Sequence, residues 1–313
     1  MILKKDITRN FFLQGDGICL KHNLLLMDSV HLYPNHIIHQ YYTALKEYYI
    51  ARYARSGKYK KLDPNEIYLV AYHPWFNYYH WLIESIPRII KYKDSHSELS
   101  LLLIKPHYDI AFVRDSLKPF AFKSIIVNDI WNYHITQGII SPIQRYCYIY
   151  EASVIQEVRA LYHTYFIKEA IGKPTRKIYV SRRNALKRKF ENEQEVIKVM
   201  LANGFEIIDL EDATLENQIK LFAETRCFVT IHGAALTNML FMQKGSIVLE
   251  LRREKTTLFD HKSKVYSNLS IALDLQYDAL NCKAVHKKDD FFTGNLIVDI
   301  KALQAKMERI FQL

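Results

Sequence analysis

Asn77-Tyr-Tyr-His80-Trp-Leu-Ile-Glu84-Ser-Ile-Pro-Arg88 sets a carboxylate four residues after a histidine, and an arginine four residues later. On a helix these three side chains share one face. A His with a carboxylate one turn away is a candidate general base, because the carboxylate fixes the imidazole tautomer and raises its basicity. The plainer reading is a surface ion stripe, or a buried His bound to a carbonyl. Asn77 is placed to cap the helix, and Leu82, Ile86 and Ile89 can turn toward a core. Pro87 is expected to kink or end the helix, which would displace Arg88.

The second half carries a different chemistry. Ser181-Arg182-Arg183-Asn184 follows the apolar run Ile178–Val180, and Lys187-Arg188-Lys189 comes soon after. Two arginines at a strand end can grip phosphate oxygens through paired donors. His232-Gly233-Ala234-Ala235-Leu236-Thr237-Asn238 follows another apolar run. Its small residues admit close backbone approach, and the start of a helix offers free N–H groups, so together they suit a diphosphate. Glu250, in a further apolar run, can accept hydrogen bonds from ribose hydroxyls. Taken singly, each has a bland counterpart: a tightly packed turn, or a solvated basic face. Their coincidence at the strand ends of one sheet raises a ligand site to equal standing with the bland reading.

Several chemistries are absent. Gly15-x-Gly17 has Leu20 where a dinucleotide fingerprint needs its third glycine. There is no phosphate-binding P-loop, no HExxH, and no Asp-x-Asp of the kind that holds a divalent ion against a sugar-nucleotide diphosphate. A bound diphosphate would be neutralised by positive side chains and helix termini, with no cofactor and no metal. The four cysteines, Cys19, Cys147, Cys227 and Cys282, form no CxxC pair and fit reduced thiols in a cytosolic protein.

These residues must be positioned by alternating strands and helices. Residues 10–30 read as short antiparallel strands around Gly15-Asp16-Gly17, and 38–55 as a Tyr-rich helix. Strands are then expected at 67–72, 99–104, 124–127 and 133–140, with helices at 77–92 and 107–117. A long helix over 154–170 stops at Gly172-Lys173-Pro174, which sets a boundary between an N-terminal domain, 1–172, and a second domain, 173–290. Beyond 173 the strands 178–182, 205–210, 227–231 and 247–251 alternate with helices 193–202, 215–224 and 234–241, the last strands being almost wholly apolar. That is the signature of a parallel sheet covered on both faces, whose ligands sit at the carboxyl ends of the strands. An amphipathic helix within 291–313 closes the chain.

With 313 residues, 49% of them hydrophobic and 24% charged, the chain is long enough for two domains and too apolar to be disordered. No apolar run approaches the length of a membrane span, and the first residues lack the pattern of a signal peptide. Lys and Arg number 43 against 33 Asp and Glu, a net charge of +10. That favours anionic ligands. A nucleic-acid binder is weighed against this charge and set aside, because the basic residues are scattered and no RNA or DNA module is present.

Three segments together resemble glycosyltransferase family 61. They are Asn77 to Arg88; Tyr179-Val-Ser-Arg-Arg183 with Asn192-Glu193; and His232 to Asn238 with Gly245-Ser-x-Val-x-Glu-Leu251. The likeness runs from about residue 67 to 255. It departs from many relatives at Ala235, where they carry Gly, which narrows the loop's conformational freedom but keeps its N–H donors. The resemblance implies an α/β, GT-B-like fold of two facing Rossmann-like domains with parallel sheets, here with an N-terminal antiparallel β extension. It implies inverting, metal-independent transfer of a sugar from a nucleotide-sugar, commonly a UDP-sugar, to a glycan or lipid-linked glycan in bacterial surface or capsule polysaccharide synthesis. His80 or Glu84 would be the base, with Asn77, Tyr79, Trp81 and Arg88 on the acceptor side. Ser181, Arg182, Arg183, His232, Gly233, Ala234, Ala235, Thr237, Asn238 and Glu250 would bind the nucleotide-sugar. The expected location is cytoplasmic, with room for peripheral contact at the inner membrane face. The alternative is a non-catalytic nucleotide- or glycan-binding protein of the same assembly system.

Overall fold

Aliphatic and β-branched runs build two sheets, one in each of two units, Met1–Ile149 and Tyr150–Leu313. The structure is a computed structural model. It describes residues 6–14, 17–22, 24–30, 59–71, 77–128, 132–143, 148–254, 264–286 and 293–310. The Tyr-rich helix expected over 38–55 and the turn residues Gly15-Asp16 lie outside them.

The first unit contains β1 (Thr8–Leu13), β2 (Cys19–Lys21), β3 (Leu24–Leu25), β4 (Lys60–Lys61), β5 (Ile67–Val70), β6 (Leu99–Ile104), β7 (Ser124–Asn128) and β8 (Tyr133–Ile140). They form one sheet in the order β3-β2-β1-β8-β5-β6-β7, with β4 also beside β8. β5 is parallel to both β6 and β8, and β6 is parallel to β7. β1 runs antiparallel to β8 and β2, which is the expected N-terminal extension. Within the parallel part the chain builds outward from β5 to β7 and then returns to the other side of β5 with β8. That reversal is a topological switch point, where open α/β sheets bind ligands.

Of the two outcomes expected of Pro87, a kink or an end, the helix after β5 does not end there. His80–Ser85 winds wider than an α-helix, with the Ile86 N–H reaching the Trp81 carbonyl, and continues as the α-helix Ile86–Ile90 with Pro87 in its first turn. Proline has no N–H to donate back to the preceding turn. Wide π-turns take up such a discontinuity without breaking the helix. Trp81 to Ile90 are all buried, so the helix emerges toward solvent only at its start, around His80.

The second unit contains β9 (Arg176–Val180), β10 (Glu206–Ile208), β11 (Thr225–Ile231), β12 (Ile247–Arg253), β13 (Gln276–Ala284) and β14 (Leu296–Ile297), in the order β10-β9-β11-β12-β13-β14. The first five are parallel and β14 is antiparallel. Here the reversal falls between β9 and β11, so the loops after these strands meet at the switch point. Helices Glu193–Ala202 and Leu215–Ala223 follow β9 and β10, the second capped by the Thr214 hydroxyl accepting from the Asn217 N–H at 3.2 Å. Ala234–Phe241 is helical as expected but wound as a tight 3₁₀-helix. Its six residues Leu236–Phe241 are all buried, so close burial rather than one-faced periodicity fixes it. The strand expected at 205–210 shortens to β10. β13 and β14 lie in a stretch for which the sequence raised no strand.

The helix Ala152–Phe166 ends before the expected residue 170 and belongs to the second unit. It packs against Ala234–Phe241 and the helices Leu215–Ala223 and Val265–Ala272. Arg159 donates to the carbonyls of Met242 and Leu273, and His163 pairs with the Phe241 carbonyl at 2.8 Å. The units therefore divide after Ile149, whereas the Gly-Lys-Pro stop suggests a boundary after 172. A chain stop marks where a helix ends, not which core it joins. No helix among the described residues is long and apolar enough to cross a membrane.

Candidate functional site

Each unit is considered by itself. In the first, the Asn77 side-chain oxygen accepts the His80 N–H at 3.0 Å, so the cap read from the sequence is present. His80 Nδ1 lies 2.5 Å from Glu84 Oε2. The His80 side chain is 16% exposed and Glu84 6%. An ionised carboxylate only accepts, so the proton of this contact sits on Nδ1. The pair thus has an outer imidazole and an inner carboxylate that orients it. The Tyr79 ring stands edge-on to His80 at 5.3 Å.

The other residues of this segment do not join that face. Trp81 is fully buried, and its indole N–H donates to the Ser116 hydroxyl at 2.7 Å. Arg88 is buried as well. Its Nη1 donates to the Ala71 carbonyl and its Nε to the Ser141 carbonyl, both at 2.8 Å. These carbonyls follow β5 and β8, so Arg88 braces the two strands that flank the switch point. Burial lowers its pKa to about 10, partly offset by nearby negative groups, Glu84 among them, so it remains a cation. Trp81 and Arg88 are thus turned into the first unit, and neither side chain lies at its surface.

In the second unit the loop after β9 is held from inside. Glu193 is 5% exposed. Its Oε1 accepts from the Tyr179 hydroxyl at 3.0 Å, the Ser181 hydroxyl at 2.8 Å and the Arg182 N–H at 2.9 Å. Burial and the Glu193 charge push the Tyr179 phenol well above its usual range, so it keeps its proton and donates it to the carboxylate. Arg182 turns back on its own loop, with Nε to the Arg188 carbonyl at 3.0 Å and Nη2 to the Lys187 carbonyl at 3.1 Å. The Arg183 side chain is exposed. Of the two arginines expected to clamp phosphate, one shapes the loop and the other faces solvent.

The loop after β11 is tied to this one. Arg188 Nη1 donates to the His232 carbonyl at 2.9 Å. The Tyr266 hydroxyl donates to the Gly233 carbonyl at 2.8 Å, and the His232 N–H to the Leu251 carbonyl at 2.8 Å. Gly233 has extended backbone, and a Cβ there would meet nothing nearer than 3.5 Å. Thr237 and Asn238 point inward: both are buried, and the Asn238 amide donates to Gln218 at 2.9 Å. The groups left at the surface of this turn are the His232 imidazole, 17% exposed, and those of Ala234 and Ala235, at the start of the 3₁₀-helix.

Glu250 lies deep in the second unit. It is 1% exposed, with Oε1 paired to His232 Nδ1 and Oε2 accepting from the Tyr277 hydroxyl. No oxygen of Glu250 is open to a ribose. Burial first, and the Glu250 charge second, push the Tyr277 phenol far above its usual range. Sequence reasoning missed Tyr277 and Tyr266, and missed Arg188 as a brace. Tyr277 sits on β13, whose pairing beside β12 no local pattern announces.

A protein-family model described as Glycosyltransferase 61 matches residues 78–249, more than half of the chain. The match spans the His80–Glu84 pair and both loops of the second unit, and stops before Glu250, Tyr266 and Tyr277. No curated protein matches the chain.

Proposed function

Since this chain belongs to the glycosyltransferase 61 family, we propose that it transfers a sugar from a nucleotide-sugar, a UDP-sugar in the first instance, to a hydroxyl of a glycan or lipid-linked glycan acceptor, with inversion and without a metal. The observation that carries this reading is the His80–Glu84 pair: an outer imidazole held through Nδ1 by a buried carboxylate at a switch point. The His80 imidazole takes the proton of the acceptor hydroxyl. That oxygen attacks the anomeric carbon, and the bond from this carbon to the diphosphate oxygen breaks, its electron pair leaving with the nucleoside diphosphate. The negative charge on the leaving group is met in the second unit by Arg183 and by the N–H groups at the start of Ala234–Phe241. Glu193 and Arg182 hold that loop in shape. The two-domain GT-B arrangement and a role in bacterial surface polysaccharide assembly at the cytoplasmic membrane face belong to this proposal.

The test is a thermal-shift screen of UDP, GDP, CMP and their sugars, with and without EDTA, followed by product analysis by NMR. A nucleotide at 100 times its Kd stabilises the fold that binds it by about 2.7 kcal/mol. UDP is expected to raise the melting temperature equally with and without EDTA, and the product to have inverted anomeric configuration. A shift that vanishes with EDTA removes the metal-independent mechanism. Binding without transfer or hydrolysis of any donor makes the chain a binding protein.

A further inference from the structure

The loop between β9 and the helix Glu193–Ala202 holds a leucine away from the protein. Leu186 is 96% exposed, the most of any large apolar side chain among the described residues. Residues 181–190 around it include five cations, Arg182, Arg183, Lys187, Arg188 and Lys189, and no acid. The projection is built by hydrogen bonds. The Arg182 guanidinium donates to the carbonyls of Lys187 and Arg188, and the Ala185 N–H donates to the Arg182 carbonyl at 2.9 Å. The turn is thus closed on its own backbone. It is tied down on both sides, by the Asn184 amide donating to Asp209 at 2.8 Å, and by the N–H groups of Arg188 and Lys189 donating to the Thr293 carbonyl and to Asn295 Oδ1. Leu186 and the exposed Lys187 stand between these ties.

We propose that this loop docks the second unit on an anionic lipid bilayer, with Leu186 entering the interface and Lys187 and its basic neighbours meeting the headgroup phosphates. The inference deepens the membrane-face part of the proposed function and rests on it. A bilayer surface offers both things the loop asks for, an apolar layer just below a negative one. Other partners fit less well. A protein interface has a broad apolar centre, whereas one leucine ringed by cations is a narrow wedge that suits a fluid surface. Single-stranded nucleic acid is held by stacking on aromatic rings, and the exposed part of this turn carries none. The loop also continues β9 at the switch point of the second sheet, where ligands of open α/β sheets bind. Docking there brings the donor-binding turns to the level of the headgroups, where the sugar of a lipid-linked acceptor lies. Of the two acceptors proposed above, the loop therefore selects the lipid-linked glycan.

The experiment is cosedimentation of the full chain with vesicles of equal parts phosphatidylglycerol and phosphatidylcholine, and with vesicles of phosphatidylcholine alone, at physiological salt. The wild type is expected to sediment with the mixed vesicles only. Leu186→Ser is expected to weaken this binding roughly tenfold, the worth of one leucine taken out of water. Lys187→Gln is expected to weaken it about fivefold, the worth of one cation at an anionic surface. Leu186→Trp reports on insertion directly, and its added fluorescence is expected to shift to the blue with the mixed vesicles. Binding unchanged in Leu186→Ser, or an unshifted Leu186→Trp, overturns the inference while the membrane-face reading stands. Equal binding to both vesicle types overturns the recognition of anionic lipid. A wild type that is dimeric in gel filtration, and monomeric as Leu186→Ser, assigns the loop to a second copy and overturns docking on lipid. A wild type that binds neither vesicle overturns the membrane-face reading and this inference with it, and leaves the nucleotide screen to decide the donor by itself.

Discussion

His80 and Glu84 are alike as candidate bases in the sequence, and burial separates them. Glu84 at 6% side-chain exposure lies behind His80 at 16%, so in the proposed mechanism the imidazole meets the hydroxyl and the carboxylate orients it. His80→Ala is expected to lower turnover by roughly 10²–10⁴-fold, the usual worth of a positioned base, with UDP affinity by calorimetry within twofold of wild type. Glu84→Gln can offer an amide N–H to Nδ1 and so favour the wrong tautomer, and its turnover should fall as well. Near-normal initial rates in both variants would move the base elsewhere. The same pairing of a His with a buried Glu recurs at His232–Glu250. There, spacing gives no hint, because the partners are 18 residues apart and meet only through strand pairing.

At the scale of elements, β8 is the strand on which the first sheet turns. It lies between β1 and β5, and Gly138 is paired with Thr8 on one side and Tyr68 on the other. A Cβ at this glycine would fall 2.9 Å from the Tyr68 carbonyl and 3.1 Å from the Phe11 ring. The carbonyl belongs to the neighbouring strand and cannot yield alone. Gly138→Ala is therefore expected to destabilise the first unit by about 1–3 kcal/mol, in the range of core overpacking, seen as a lowered midpoint of its urea transition. An unchanged midpoint would mean that the strands can separate freely there. The helix from His80 to Ile90 makes a related point. Pro87 does not end it, because the wide turn ahead of the proline takes up the missing hydrogen bond.

At the scale of the molecule, the long helix Ala152–Phe166 decides where the second unit begins. Val158, Tyr162 and Phe166 are buried, and its polar side chains reach carbonyls of the second unit alone among the hydrogen bonds described. A fragment of residues 150–313 is expected to melt cooperatively by circular dichroism. A fragment of 173–313 loses that cover and should aggregate or melt broadly. Identical melting of the two would return the boundary to the Gly172-Lys-Pro174 stop. By itself the sequence determined the alternation of strands and helices, the parallel second sheet, the family, and the segments that carry chemistry. These are properties of local spacing: apolar runs, caps, and residue types within a turn of one another. The tertiary structure alone decided that Glu250 is hidden behind His232, that Tyr277 stands behind Glu250, that Arg88 and Trp81 face inward, and that Arg182 folds onto its own loop. Burial and strand neighbours depend on residues far apart in the chain, and a sequence pattern reports only on those that are near.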